Sequence, residues 1–480
     1  DVEGFVLSGC ESMSENEAYV SEFKADKRGR TYQAACHGPN GQASDRSRSL
    51  MDLQGVSTDY DSAAALVLIE NEQQDMIKGD ISVVRARLME LGRVQFVIDQ
   101  EDAKKNDDGT MICSKPYSFI KAEITRVKLV RGDKPYIGMA FGLDAKCSGP
   151  QLAALAVGDE NVAAACGFTT SKVADAYERA IKEMLKPGVL HNFKGLTRAD
   201  VKKSVMAVFY GQAAAAFTTP GKDNPLTANA WKILFGAAAV GDDAVAKEYH
   251  AAIEASFGPG INKLRADMKG LKGKMEGQPS YRHLDGQVVN MKYKVKNDIY
   301  GSAITNKGDV DDVRVIIRDR LTAVMVNASF ATDIDDPDTA IRNGFVNMVQ
   351  GLDAVLSKLI ISHLHALGAQ HVVAVHDCFR VNVHDMAKLV RAIKMSYVDM
   401  FGSKTANAAA GQFLPKDGDM LGNYFVGMEE SLSVGEVILS RSSQFATAGK
   451  RKLDKIHGVD FTELVFALNA EEGGVTYFAK

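Results

Sequence analysis

What this chain lacks most plainly is a surplus of positive charge: 57 Lys and Arg stand against 61 Asp and Glu, for a formal net charge of −4. Binding to nucleic acid through bulk charge is thereby excluded, and any such function must concentrate its cations locally. Long apolar runs are also missing. Stretches such as Val372 to Val375 are broken quickly, so no membrane-spanning segment and no membrane partner are expected. The start, Asp1-Val2-Glu3-Gly4, has neither the basic nor the apolar region of a signal peptide. It also has no Met, so processing or absent upstream residues are expected. The six cysteines, Cys10, Cys36, Cys113, Cys147, Cys166 and Cys378, include no CxxC pair. That spacing argues against a structural zinc cluster and fits a reduced, cytoplasmic compartment. There is no internal repeat or low-complexity tract, and extensive disorder is not expected.

What is present is an ordinary globular composition, 46% hydrophobic and 25% charged, in 480 residues. A chain of that length exceeds a single core, so two to four subdomains are expected. Pro/Gly punctuation at Lys186-Pro187-Gly188, Thr219-Pro220-Gly221 and Gly258-Pro259-Gly260 separates helical blocks. The spacing of Val173, Tyr177, Ile181 and Met184 predicts a helix over 171–185, and Met386, Leu389, Val390, Ile393 and Met400 predict another over 385–401. Between 372 and 383, β-branched residues around a polar turn predict a hairpin. The fold class is α+β, helix-rich, with a small antiparallel sheet. Local cation clusters lie at Lys263 to Lys274, Lys292 to Lys296 and Lys450 to Lys452. Any one such run is ordinarily a solvated face.

The most informative segment begins at Thr197. Thr197 with Asp200 approximates a capping box, and Leu196 with Val201 can form a hydrophobic staple, so a helix starts here. Along it Arg198, Lys202, Met206 and Tyr210 recur every four residues and share one slowly drifting face. Two cations near a helix start oppose the dipole, a local cost that makes sense where an anion arrives. Arg-x-x-x-Lys alone is most often an amphipathic surface, but here the pattern continues to Tyr210-Gly211.

Two aspartates follow apolar strands. Asp144 ends Met139-Ala140-Phe141-Gly142-Leu143-Asp144, and Asp377 follows Val372-Val373-Ala374-Val375-His376 at a hairpin tip. Either alone reads as turn chemistry. Phosphoryl transfer to a hydroxyl, however, commonly needs two carboxylates that meet in space to hold two divalent ions roughly 3.5–4 Å apart. A second pair, His384-Asp385, opens the following helix, and Asp385 is expected to be its N-terminal cap.

In the order strand-Asp, Arg/Lys/Tyr helix, His-Asp hairpin, these segments resemble motifs A, B and C of the single-subunit, phage- or mitochondrial-type RNA polymerases. Those enzymes share the motifs with the bacterial repair DNA polymerases. Three positions resemble the RNA branch. Gly149 stands five residues after Asp144, where the DNA enzymes carry a Glu that blocks a 2′-hydroxyl. Met206 stands where they carry Phe, and His376-Asp377-Cys378-Phe379 resembles His-Asp-Ser-Phe rather than His-Asp-Glu. Upstream, Asp26-Lys27-Arg28-Gly29-Arg30-Thr31-Tyr32 resembles the family's D-x-x-G-R element, and Tyr177 resembles a fingers tyrosine at the templating base. A charged turn and a core aromatic are the plainer readings of these two. Ala145 and Lys146 depart from the family's small residues, and Asn347 stands where a histidine often reads the hybrid's minor groove.

The resemblance covers Phe23 to Phe401 in outline and implies a right-hand polymerase palm and fingers. It divides the chain into palm with the D-x-x-G-R element (1–60), a palm insertion (61–119), palm with motif A (120–165), fingers (166–345) and palm with motif C plus an extension (346–480). It implies catalytic roles for Asp144, Asp377, Lys202, Tyr210 and His376, and nucleotide binding by Arg198, Lys202, Tyr210, Tyr177 and Arg30. Arg28, Arg30 and Gly211 would contact nucleic acid. Two Mg²⁺ ions would be held by Asp144, Asp377 and the Ala145 carbonyl. The region from about Gly277 to Asn343 takes the place of a promoter-specificity loop, with Tyr293, Arg314, Arg318 and Arg320 facing DNA or solvent. Expected partners are a DNA template and promoter, nascent RNA, ribonucleoside triphosphates and a second polypeptide supplying the thumb and N-terminal domain. A phage-infected bacterial cytoplasm is expected ahead of a mitochondrion. A DNA polymerase or primase of the same fold, or an inactive nucleic-acid-binding scaffold, are the alternatives.

Overall fold

The computed structural model describes residues 23–26, 28–33, 44–53, 55–106, 109–145, 147–157, 159, 162, 165–166, 176–221, 224–269, 280–282, 288–290, 293–299, 301–304, 310–313, 316–318, 323–325 and 328–401. These residues form a mixed, helix-rich α+β structure around a small antiparallel sheet. The sheet has three strands, β3 (Phe141–Asp144), β12 (Val373–Val375) and β13 (Cys378–Val381), in the order β12-β13-β3. β12 and β13 are the two arms of the hairpin expected from their β-branched run. β3 pairs with β13 in the register Cys378 opposite Asp144 and Phe379 opposite Leu143.

A separate two-stranded hairpin, β1 (Phe23–Ala25) and β2 (Thr31–Gln33), carries the Asp26–Arg30 turn. Further antiparallel pairs lie among the described residues between 280 and 335, with β6 (Lys294–Ile299) pairing β11 (Ala328–Asp335), β7 (Gly301–Ile304) pairing β8 (Val310–Val313) and β9 (Ile316–Arg318) pairing β10 (Ala323–Met325). Strands β4 (Ser280–Arg282) and β5 (Val288–Asn290) precede them.

The helices, in chain order, are α1 (Asp45–Ser49), α2 (Ser62–Gln74), α3 (Ile81–Asn106, broken at Gly92), α4 (Pro116–Val130), α5 (Ser148–Val157), α6 (Ala176–Met184), α7 (Arg198–Phe209), α8 (Ala228–Phe235), α9 (Asp243–Ser256), α10 (Gly258–Lys269), α11 (Pro337–Ala366) and α12 (Met386–Phe401). Helix α11 packs on α5, α10 and α12, while α6, α7 and α9 pack together and α2 packs on α4. Phe209, fully buried at the end of α7, meets Phe257 and Phe345 edge-on at ring distances of 5.3 and 5.2 Å. Burying one such ring is worth about 1.5–3 kcal/mol, and here it ties α7 to α11. Met76, Val84, Leu88, Phe96, Cys113 and Phe119 form a second, smaller core.

Two sequence expectations meet the structure here, and the second of them needs correction. Helix α11 interleaves Arg342, Asp353 and Lys358 with apolar residues, so no single run betrays it. Over Asp338–Ala366 it is nonetheless long and apolar enough to cross a membrane by length and composition. Of its most apolar window 67% is buried inside the protein, the pattern of a core helix. The second concerns the start of α12. There Asn382, not Asp385, is the cap: its side chain accepts from the His384 and Asp385 N–H groups ahead of a 3₁₀ turn over Val383–Asp385. Asp385 is buried, bonded to Asn382 Nδ2 at 2.8 Å and paired with Lys388 at 2.7 Å.

Candidate active site

The two aspartates meet at one end of the three-stranded sheet. Asp144 closes β3 directly opposite Cys378, and Asp377 is the residue before Cys378 in the hairpin turn. The Ala145 N–H donates to the Asp377 carbonyl at 3.4 Å and extends the ladder past both carboxylates. Among the described residues, Cys147 (φ 58°) and His376 (φ 56°) are the non-glycine positions with positive φ. Each costs of order 1 kcal/mol or more. They flank Asp144 and Asp377, so the strained turns aim the loops that carry the acids.

A third carboxylate, Asp353 in the middle of α11, joins them. It is almost fully buried and accepts from Arg30 Nε at 2.9 Å and Nη2 at 2.5 Å, while its Oδ1 has no hydrogen-bond partner. Burial, together with the charges of Asp353 and Asp144, pushes the Asp377 carboxyl up to about 6, against a smaller opposing pull from the Ser148 hydroxyl. Asp353 is raised by the same burial and by Asp144, although Arg30 opposes both. Three acids thus act on one another while the Arg30 guanidinium pairs with Asp353, an excess of negative charge that a cation would relieve.

Arg30 is delivered by the β1–β2 turn. Asp26 Oδ1 accepts from the Arg28 and Arg30 N–H groups at 2.9 and 3.1 Å, and Gly29 takes φ 84° to close the loop. Burial works against the Asp26 charge, but Arg28 and the two N–H groups outweigh it and hold the carboxyl below its ordinary range. The Arg28 guanidinium bonds Asp26 and the Gln350 amide oxygen. Both arginines expected at nucleic acid or nucleotide are thus engaged with acidic and amide groups of the protein itself.

Helix α7 starts as its sequence predicts. Thr197 accepts from the Asp200 N–H and Asp200 bonds the Thr197 N–H, the reciprocal capping box. Arg198 and Lys202 are exposed, Met206 and Tyr210 half-buried, so the stripe runs from solvent inward. Arg198 lies over the Tyr177 ring at 5.0 Å and Lys202 at 6.0 Å, with Tyr177 buried beneath them. At the other end Tyr210 hydrogen-bonds Gln350. Burial first, then Asp353 and Asp377 against the opposing Arg30, pushes its phenol up to about 12. Gly211 adopts φ 96°, and the bonds Gly211 N–H to Val208 and Gln212 N–H to Ala207, both 2.9 Å, end the helix in a Schellman turn. Gly211, expected at nucleic acid, is here a conformational stop that leaves Tyr210 at the helix end.

His376 packs edge-on against Tyr32 at 5.0 Å, its Nδ1 buried without a partner. Burial and the Arg30 charge lower its pKa, which favours the neutral ring.

Other expected positions lie elsewhere. Asn347 donates to the Tyr293 hydroxyl at 2.7 Å; it is Gln350, one turn on, that reaches Tyr210 and Arg28. Arg265 of the first basic run is buried and donates to the Val208 carbonyl at 2.8 Å, so it is no surface cation. Lys27, Lys146, Lys274, Lys292, Arg314, Arg320 and the Lys450–Lys452 run lie outside the described residues, and nothing is described of the Arg318 side chain. Sequence reasoning missed Asp353 and Gln350. Asp353 left a trace, one acid among Leu352, Ala354, Val355 and Leu356, a costly place for a charge without a partner.

Among the described residues, no group of three or more His, Cys, Asp or Glu is arranged to hold a metal ion by itself. Magnesium asks less, since it commonly takes one or two carboxylates and completes its shell with water and phosphate oxygens. Asp144 and Asp377 fit that demand, and the crowded charge at Asp377 favours a cation. Compared with known proteins, the sequence matches no family model, and no curated protein matches it.

Proposed function

We propose that this chain is the catalytic subunit of a DNA-directed RNA polymerase, with the sheet and its acids as palm and α7 with its neighbours as fingers. One observation carries the proposal: Asp144, at the end of β3, and Asp377, in the turn that leads into its neighbour β13, stand side by side, and the Arg198–Lys202–Tyr210 face of one helix leads toward them. Two Mg²⁺ ions held by Asp144 and Asp377 would supply activation of the RNA 3′-hydroxyl and charge stabilisation on the triphosphate.

The residues do the positioning. Arg198 and Lys202, steadied on Tyr177, offer cations to the triphosphate at the open end of the stripe. Tyr210, with Gly149 beside it, forms the wall where the sugar would lie. Arg30 balances the charge of the acids through Asp353. His376, neutral and braced on Tyr32, holds the turn that presents Asp377. Catalysis then rests on orientation and charge placement rather than on a protein nucleophile.

The proposal includes a second polypeptide that supplies the thumb and N-terminal domain. Primer extension on a primed DNA template, comparing ribonucleotides with deoxynucleotides and adding candidate partner chains, tests it. Ribonucleotide addition is the expected product. Deoxynucleotide preference would point to a DNA polymerase of the same fold, and no incorporation with any partner would favour the inactive scaffold.

A further inference from the structure

Behind the three-stranded sheet lies a cavity of about 100 Å³ whose walls carry Arg48, Lys115, Lys121 and Arg380 against Asp52 and Glu72. The two acids are already engaged. Asp52 pairs with Lys121 at 2.9 Å; Glu72 bonds Arg380 and accepts from the Gly142 N–H at 2.9 Å. Arg48 and Arg380 each keep a buried Nε without any hydrogen-bond partner. Both guanidinium groups line this one cavity, and each retains a donor that the protein does not satisfy, which is uncommon because buried donors are nearly always paired. Guanidinium geometry matches the oxygen edge of a phosphate. A wider groove of about 670 Å³ shares Arg48 and Lys115 with the cavity and adds Arg46, Lys104 and Lys105. The same groove also carries Asp45, Glu101 and Asp102, so it offers an entry route of mixed charge in which five cations outnumber three acids.

We propose that this cavity is a binding site for a small phosphate oxyanion, inorganic phosphate or pyrophosphate, separate from the acid cluster. The volume decides between sources. A space of about 100 Å³ has room for a group of a few heavy atoms. That suits one free oxyanion better than a strand of nucleic acid, which would stay in the outer groove. Occupancy would also reach the sheet. Arg380 lies against Gly142, where a Cβ would meet its side chain at 2.9 Å, and Gly142 is two residues from Asp144 on the same strand. An anion that draws Arg380 from Glu72 therefore acts on the strand that carries Asp144. The inference is independent of the polymerase proposal.

The test is calorimetric titration of the full chain with phosphate and with pyrophosphate, in an Arg198→Gln/Lys202→Gln background that removes the exposed cations of α7. One saturable site per chain is expected, weakened at least tenfold by Arg48→Gln and less by Arg48→Lys, with unfolding midpoints unchanged. Should Arg48→Gln fail to fold, the unsubstituted chain still decides: phosphate should protect Lys115 from an amine-reactive acetylating reagent, read by mass spectrometry. A parallel titration with a short oligonucleotide separates the sources. Absence of saturable phosphate binding, binding indifferent to Arg48→Gln, unprotected Lys115, or binding of the oligonucleotide alone would each overturn the proposal.

Discussion

Gly149 and Tyr210 are locked against each other: a Cβ on Gly149 would stand 2.8 Å from the Tyr210 hydroxyl and 3.1 Å from the Phe209 ring. The first helical turn after Asp144 and the last residue of the cationic stripe therefore share one small volume. Gly149→Ala must move Tyr210 away from Gln350 and the acids, since Phe209 is fully buried and cannot yield. Single-nucleotide incorporation should fall about tenfold or more, in keeping with misplacement of a positioning group. The ratio of ribonucleotide to deoxynucleotide use should change with it. Wild-type rate and ratio in Gly149→Ala would remove Tyr210 from the sugar pocket.

The Arg30–Asp353 pair is a charge contact made inside the protein. Breaking a buried pair from one side strands the other charge and typically costs about 3–5 kcal/mol. Arg30→Met is expected to destabilise by that order in urea unfolding, and Asp353→Leu in combination should recover much of it. Additive losses in the double variant would mean that the two residues act independently.

Tyr177 supports Arg198 and Lys202 rather than touching the acids. Tyr177→Leu keeps an apolar core side chain but deletes the ring face, worth about 0.5–2 kcal/mol in such contacts. The nucleotide KM should rise by about 2- to 30-fold on that basis, with kcat changed less. A fall in kcat at constant KM would contradict this role.

Asp377 gives a pH dependence of defined sign. Its carboxyl titrates near 6 in the folded chain, above its ordinary value of 3.8, so the native state takes up a proton before the unfolded state does. Without metal, the contribution of this group to stability should grow as pH falls through 6 and be complete below the unfolded value. It is lost again as pH rises past 6. Added Mg²⁺ favours the ionised form and should flatten that slope, and Asp377→Asn should reduce it to the part that the raised Asp353 carboxyl contributes. Urea midpoints between about pH 4.5 and 7.5, with and without Mg²⁺, would show it.

Local signals were legible because they act over a few residues. The Thr197–Asp200 box and the hairpin around His376-Asp377 each follow from neighbours in sequence. The meeting of Asp144 with Asp377 followed from family resemblance, not from periodicity. Partners that α11 brings from far away were not legible: Arg30 and Asp353 are 323 positions apart. Asn347 and Gln350 differ by less than one helical turn, and only the packing of α11 decides which faces Tyr210. At α12 the sequence pointed to Asp385 as the cap, but a 3₁₀ turn over Val383–Asp385 sets the start back to Asn382, whose side chain takes the His384 and Asp385 N–H groups.

The central claim is that two acids, one ending β3 and one in the turn before β13, serve one reaction centre. Asp144→Asn and Asp377→Asn, each compared with the unsubstituted chain, should be assayed for addition of a single ribonucleotide to a primed template with Mg²⁺. The account predicts loss of addition by about 10³-fold or more in each variant, with template binding and unfolding midpoint largely kept. Addition at the unsubstituted rate by either variant, or loss of template binding in step with activity, would contradict it.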